Sequence, residues 1–515
     1  MIWLIAKKEF LLNLVNFRFI AGFVLCFILS VLSAWILTQD YAERIKEYSD
    51  NVQKHKDDLG NSKVYSEVKV TVDKRPEPLG LLCEGVEKNL NGTLTVWHGE
   101  VPTVSSGEGQ GNPLMAGLAS LDLSLIVRVI FSLLALLFVY DSISGERERG
   151  TLALLMSNPV PRHQVLLGKY LGILLSLFVP ILCSMLAGAL IIILSSSVNL
   201  SLSDGMRLIL ICLVSLLYVS VFCALGIFVS SRCSRSTTSL MILLFFWVAF
   251  VLLIPKASTY IASYVKPVSS LDVVNGRVGA LWREFQHEVD KFNENHPAMG
   301  SSSFDNSGVK VFLAEKRKMT VYLERVKFSE PLRIQYADKE NSVRQEYIHE
   351  LERQSALANN LARISPTTNY ENLISALAKT DTQSYLEFIN RTKNYRNELI
   401  SYLQSKKVFS SFLYITRQKE EDMFDGEQFS KQAKRYWDEW ERKFRVSKSI
   451  AGAWKGVWDS VESLNLIDMP RFQFKGLSIA DNIKYTMPDL IILIVLNVLF
   501  FLGAYISFLR GGVKA

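Results

Sequence analysis

The chain has 515 residues, 49% of them hydrophobic and 21% charged, with a formal net charge of +7. So apolar a composition at this length excludes an ordinary soluble globule, and the uneven spread of charge divides the chain into bilayer-spanning and water-facing parts. The net charge alone says little; where the basic residues sit says more.

Apolar runs of about 20 residues, the length that crosses a bilayer, occur at 19–38, 119–140, 165–195, 206–231, 237–256 and 487–509. They predict an α-helical polytopic membrane protein with six transmembrane helices. Lys7, Lys8 and Arg18 precede the first run, Arg147, Arg149, Arg162 and Lys169 lie in or beside the second connection, Arg232 and Arg235 lie in the fourth, and Arg510 and Lys514 follow the last. The connection Ser195–Gly205 has no Lys or Arg. The positive-inside rule then predicts cytoplasmic N- and C-termini, with 39–118 and 257–486 extracytoplasmic and 510–515 a cytoplasmic tail. The first run is about twice the length of a signal-peptide core, and no small-residue cleavage site follows at Leu32–Trp35, so it reads as an anchor. The expected setting is a bacterial inner membrane, with the lipid bilayer as a partner.

Residues 1–18 place Leu4, Ile5, Leu11, Leu12 and Val15 beside Lys7, Lys8 and Glu9. That pattern suits an amphipathic helix in the cytoplasmic interface, or a plain extension of the first span. In the 39–118 insertion, Gln39–Leu59 is compatible with continued helix. Val64, Ser66, Val68, Val70 and Val72 alternate as a half-buried strand, and Thr93–Trp97 offers a second to pair with it. A small mixed α/β insertion is predicted. Cys83 is the sole cysteine there, which excludes an intrachain disulfide and leaves a buried free thiol or a bridge across a homodimer. Arg128 falls inside the second span, where an ionisable group is a functional candidate by default. The alternatives are snorkelling to the outer headgroups or pairing with a carboxylate such as Asp122 or Asp489.

The connection 141–164 is the most informative stretch. It carries Gly145, Glu146, Arg147, Glu148, Arg149, Gly150, Thr151, Leu152, Leu154, Leu155, Pro159 and Arg162, with Lys169 just beyond. Gly150–Met156 reads as a turn or two of amphipathic helix ended by Pro159 and Pro161. A charged segment that merely stays wet is the bland alternative. The third span is long enough to tilt or to break at Pro180.

Residues 257–486 predict a mainly helical extracytoplasmic domain. Val274, Val278, Leu281, Trp282, Phe285, Val289 and Phe292 recur at helical spacing, as do Val343, Tyr347, Leu351, Ala358 and Leu361. So do Phe429, Ala433, Tyr436, Trp437, Trp440 and Phe444, a stripe read as core rather than ligand site. Ser365-Pro366 stops one helix, and Thr368-x-x-Glu371 reads as a capping box starting the next. A domain of this size is expected to fold by itself and to recognise cargo or an extracytoplasmic protein partner.

No Gly-rich phosphate loop ending in Lys-Ser/Thr, no HExxH and no Gly-x-Ser-x-Gly occurs, so no catalytic, cofactor-binding or metal residue is assigned and the chain is not expected to be an enzyme. A nucleic-acid partner is not expected.

The 145–169 stretch resembles the coupling segment of ABC-2 type transporter permeases, whose pattern runs Gly-Glu-x-Glu-x-Gly-Thr-Leu, Leu-Leu-Ser-x-Pro-Val, then Arg and Leu-Gly-Lys. The Lys7-Lys8-Glu9-Phe10 start and Leu361–Thr380 are similar to other parts of such permeases. The resemblance implies six spans per chain and a second permease chain, identical or related. It also implies a cytoplasmic ABC ATPase dimer that binds the ATP and Mg. It implies that the segment inserts into an ATPase cleft, with Glu146, Arg147, Glu148 and Arg149 as charged contacts and Leu152, Leu154 and Leu155 as anchors. The function implied is export or extraction of a substrate. The outer mass departs from the simplest members and leaves that substrate open. A membrane-anchored sensor or scaffold would also explain the outer mass, but not the segment.

Overall fold

The computed structural model describes residues 1–90, 92–103, 122–152, 161–196, 198, 200–296, 316–417, 419–423 and 462–510, with isolated positions between 428 and 445. Among them are six helices long and apolar enough to cross a membrane: Phe17–Gly60, Leu123–Glu148, Arg162–Leu194, Leu202–Arg232, Ser236–Val265 and Ile479–Arg510. These are spans 1 to 6. Apolarity marks where lipid contact ends, not where the helix ends. Span 1 runs 44 residues, about 66 Å, because the charged stretch after position 38 is rich in good helix formers. Span 5 likewise outruns its apolar stretch. Span 3 passes through Pro180 without interruption, so no break occurs there.

Span 4 is the hub, packing against spans 2, 3, 5 and 6. Its Tyr218, Phe222 and Cys223 are wholly buried. Span 1 leans on span 3, and apolar residues such as Trp35, Phe245 and Val498 remain exposed on faces that lipid covers. Ahead of span 1, α1 (Ile2–Val15) is a separate helix: Asn16 is extended, and its side chain accepts from the Arg18 amide at 3.1 Å. This decides against a simple extension of span 1. Trp3, Leu4, Leu11, Leu12 and Val15 are exposed along α1.

In the first insertion β1 (Val70–Asp73) pairs antiparallel with β2 (Thr93–Val96), Val70 opposite Val96 and Val72 opposite Leu94. The expected strand starts late, because Tyr65–Glu67 forms a 3-10 turn instead. The second insertion contributes α2 (Leu271–Glu294), α3 (Lys316–Ala362), α4 (Pro366–Ala378) and α5 (Thr382–Ser405). α2 packs on α3 through Phe285, Val289 and Tyr336. Of the α3 stripe read from sequence, Val343 and Tyr347 are half-buried and Leu351 is exposed. The 429–444 aromatic stripe lies outside the described residues.

Two short strands present an apolar face that needs cover, and α5 supplies it. Val70, Val72, Leu94 and Val96 share one core with Phe388, Tyr395 and Leu399. The described part of 257–486 thus shares its core with the first insertion.

Ser365 caps α4 by accepting from the Thr367 amide at 3.1 Å, and Pro366 occupies its first turn. The helix thus starts before Thr368, and the expected capping box does not form. α4 is too short to span a bilayer, yet Tyr370, Leu373, Ile374 and Leu377 join the core of the spans. Arg207 of span 4, 2% exposed, donates to the carbonyls of Leu377 and Leu477 at 3.0 and 2.8 Å. It caps the end of α4 and holds it to the approach to span 6.

Candidate functional site

At the end of the bundle away from the insertions, span 2 bends after Tyr140 and closes on the short helical turn Ser144–Glu148. The bend leaves amides without in-helix acceptors, and span 4 receives them. Ser230 Oγ accepts from the Ile143 and Ser144 amides at 3.2 and 3.0 Å. Gly150 ends the turn at φ +74°, a left-handed conformation that glycine adopts without steric penalty.

The charged side chains of the turn reach into the chain itself. Glu146 accepts from Lys169 Nζ at 2.7 Å, and the same ammonium reaches Glu9 of α1 at 2.7 Å. The Lys169 side chain is 3% exposed. An ammonium that deep requires both carboxylates. Arg147 forks onto the last carbonyls of span 4, donating to Cys233 and Ser231 at 3.1 Å each. Glu148 caps the start of span 5, accepting from the Ser236 amide at 3.0 Å and its hydroxyl at 2.6 Å. The Arg147 and Glu148 contacts each match a charge to the helix end it meets, a guanidinium at a finish and a carboxylate at a start.

The neighbouring residues extend the pattern. Asp141 pairs with Arg18 of span 1 at 3.2 Å. Arg162 donates to the Leu509 carbonyl at the end of span 6 at 2.9 Å. Gly172 lets α1 lie on span 3, since a Cβ there would come 2.6 Å from Glu9 Cβ and 2.8 Å from the Ala6 carbonyl. One segment therefore touches spans 3, 4 and 5 directly, α1 through Lys169, and spans 1 and 6 through its flanks.

Glu146, Arg147 and Glu148, read from sequence as outward contacts, thus have partners within the chain. Glu148, Arg149, Gly150 and Thr151 are all exposed, but Glu148 is tied to Ser236 while Arg149 has no ion-pair partner among the described residues. Leu152 packs against the core of the spans. Leu154, Leu155 and Pro159 lie outside the described residues. Nothing in the sequence flagged Ser230 or Ser236, or directed Glu9 to Lys169, because these partners are remote along the chain.

Arg128 is far from this site, toward the insertions. It pairs with Glu371 of α4 at 2.6 Å, not with Asp122 or Asp489. Asp122 instead caps span 2, accepting from the Leu125 amide at 2.8 Å, and Asp489 takes Arg363 through both oxygens at 3.0 and 3.1 Å. The sequence expectation missed Glu371 because it was assigned to a cap.

A six-span bundle with such a segment between spans 2 and 3 invites comparison with known proteins. The family described as ABC-2 family transporter protein matches residues 3–513. The chain belongs to the ABC-2 transporter family. Among curated proteins it is similar to the probable ABC transporter permease protein NosY of Pseudomonas aeruginosa, 49% identical over 51 residues, 10% of this chain and 18% of that protein. NosY of Stutzerimonas stutzeri is 41% identical over 76 residues, 15% of this chain and 26% of that protein. The chain thus spans about a fifth to a quarter of the length of these relatives. As an ABC-2 family permease it is a membrane subunit, and the segment built on Gly145–Gly150 bonds to spans 3, 4 and 5 at its insertion-free end.

Proposed function

We propose that this permease couples ATP hydrolysis by a separate cytoplasmic ABC ATPase dimer to export or extraction of a substrate, with the Gly145–Gly150 turn as the place where force enters. The observation that carries this reading is the clamp: Lys169, Arg147 and Glu148 tie one short turn to α1 and to spans 3, 4 and 5. A push on that turn moves the bundle ends together, as a bistable domain motion requires. Arg149 and Thr151, exposed beside the clamp, present the docking surface to the ATPase. Supporting the cytoplasmic placement of this end, with both termini, is the concentration of Lys and Arg there. On that orientation the two insertions form one extracytoplasmic body of a bacterial inner-membrane protein. A second permease chain completes the transporter, and ATP and Mg belong to the ATPase.

The test is purification of the tagged chain from its native membrane. The expected outcome is a stoichiometric ATP-hydrolysing subunit, with a Thr151→Cys variant labelled by an impermeant thiol reagent only after the membrane is opened and a Ser405→Cys variant labelled in intact cells. Labelling of Thr151→Cys from outside would overturn the orientation. Intact purification without an ATPase would favour the membrane-anchored sensor or scaffold.

A further inference from the structure

Arg128 lies in a short π-helical stretch of span 2, Ile126–Phe131, and span 5 has one too, Val248–Leu253. A π turn withdraws carbonyls from the helical ladder, and such turns recur at functional sites. Here both withdrawn carbonyls are caught by hydroxyls. The Arg128 carbonyl accepts from Tyr218 of span 4 at 2.8 Å. The Phe250 carbonyl accepts from Ser365, the cap of α4. Trp247 of span 5 donates to Ser132 of span 2 at 2.9 Å, joining the two turns. α4 is seated across them: Thr367 and Tyr218 hydroxyls lie 3.2 Å apart, and Glu371 meets Arg128.

Beside this seat is a cleft of about 420 Å³, lined by Cys83, Asp122, Arg128, Arg363, Glu371 and Asp489 among others. Two guanidinium–carboxylate pairs border it, and they are unequal. Asp489 is 2% exposed, gripped by both nitrogens of Arg363 and by Asn372 at 3.1 Å. Glu371 is 51% exposed and holds Arg128 through a single contact. A half-exposed single pair contributes little and breaks easily; a buried fork does not. Within α4, Thr368 Oγ1 and Asn369 Oδ1 are buried without a hydrogen-bond partner among the described residues. Unpartnered buried atoms on a seated helix fit an element that leaves its seat.

We propose that α4 is a movable outer stopper, that Arg128–Glu371 is its latch, and that displacement of span 2 breaks the latch and opens the cleft. Arg128 and Glu148 lie on the same span, on either side of its bend after Tyr140, so one continuous span joins the clamp to the latch. Moving the π turn past Arg128 re-aims that residue by about 100° while the rest of span 2 keeps its phase, which takes the guanidinium off Glu371. The ATP-driven part of this mechanism rests on the function proposed above; the latch itself does not.

Cys83 supplies the probe. It lines the cleft, is 3% exposed, and burial together with the Asp122 charge pushes its thiol up to about 12. Both effects slow alkylation while the cleft is closed. In a background with Cys26, Cys183, Cys212, Cys223 and Cys233 replaced by Ser, labelling by a membrane-impermeant maleimide is followed in right-side-out vesicles. Glu371→Gln should raise the Cys83 rate by about 3–10-fold, as loss of one half-exposed pair allows. The swap Arg128→Glu with Glu371→Arg should return it toward the parental rate, which simple unfolding would not. An unchanged rate in Glu371→Gln, or no recovery in the swap, overturns the latch. In the native complex, ATP with vanadate should change the parental rate. If Glu371→Gln opens the cleft but nucleotide does nothing, the latch stands and the ATP-driven reading falls.

Discussion

The two ends of the bundle are held by the same kinds of side chain in opposite ways. At the insertion-free end Lys169 is 3% exposed between two carboxylates, and Arg147 and Glu148 cap helix ends. At the insertion end Arg128 meets a carboxylate that is half in water, beside a cleft. Buried charges that lose a partner cost several kcal/mol, whereas half-exposed pairs contribute about 0–1 kcal/mol. The difference teaches where the molecule is stiff and where it yields: the first end gathers the spans into one body, and the second lets an element come away.

The largest expected effect tests the stiff end. Lys169→Met leaves the half-buried carboxylates of Glu9 and Glu146 facing each other without their shared cation, and should cost on the order of 3 kcal/mol in thermal unfolding of the purified chain. Adding Glu9→Gln and Glu146→Gln should recover much of it. If Lys169→Met is neutral, that end is not clamped by charge and the contrast disappears. Arg207→Met comes next, at about 2–3 kcal/mol, through loss of charged hydrogen bonds to the Leu377 and Leu477 carbonyls. Because Arg207 fastens the far end of α4, the same variant should also speed Cys83 labelling. Stability loss without faster labelling would place the yielding point elsewhere than α4.

Gly172→Ala should cost about 1–3 kcal/mol by pushing α1 off span 3, since the new Cβ meets the Ala6 carbonyl and the Glu9 Cβ, neither of which can swing aside. Unchanged melting would show that α1 is loosely attached. The smallest effect is in the body that the two insertions form, where His98 of the first insertion meets Glu330 of α3 at 2.8 Å. Burial opposes ionisation of Glu330, but the hydrogen bond and charge of His98, with Arg333 and Tyr414, outweigh it and hold the carboxyl below its ordinary value. The carboxylate therefore stabilises the fold fully above the unfolded value of about 4.3 and loses that contribution as pH falls through the lower folded value. Glu330→Gln should flatten this acid limb in melting against pH; an unaltered limb would assign the acid sensitivity to other groups.

Much of this was legible in the sequence, for physical reasons that also explain the rest. The spans were visible because a bilayer demands a long apolar run, and β1 and β2 because alternation over Val70–Val72 and Thr93–Val96 has few other meanings. α4 was not visible as part of the membrane core: at 13 residues it is too short to register as a span, and its buried Tyr370, Leu373, Ile374 and Leu377 look like any soluble amphipathic stripe. The 145–169 motif was recognised, but the direction of its charges was not. Lys169 is 160 residues from Glu9 and Glu148 is 88 from Ser236, and periodicity carries no information about partners so distant. The same distance hid Glu371 from Arg128.

The most direct test of the central claim separates docking from clamping. The ATPase retained by the affinity-purified chain is quantified for Arg149→Glu, on the exposed surface, and for Glu148→Gln, which weakens the cap on span 5. The account expects Arg149→Glu to lose the ATPase, about 30-fold for an anchor worth on the order of 2 kcal/mol, and Glu148→Gln to keep it. Full retention by Arg149→Glu, or equal loss in both variants, would contradict the division of this segment into an inward clamp and an outward docking surface.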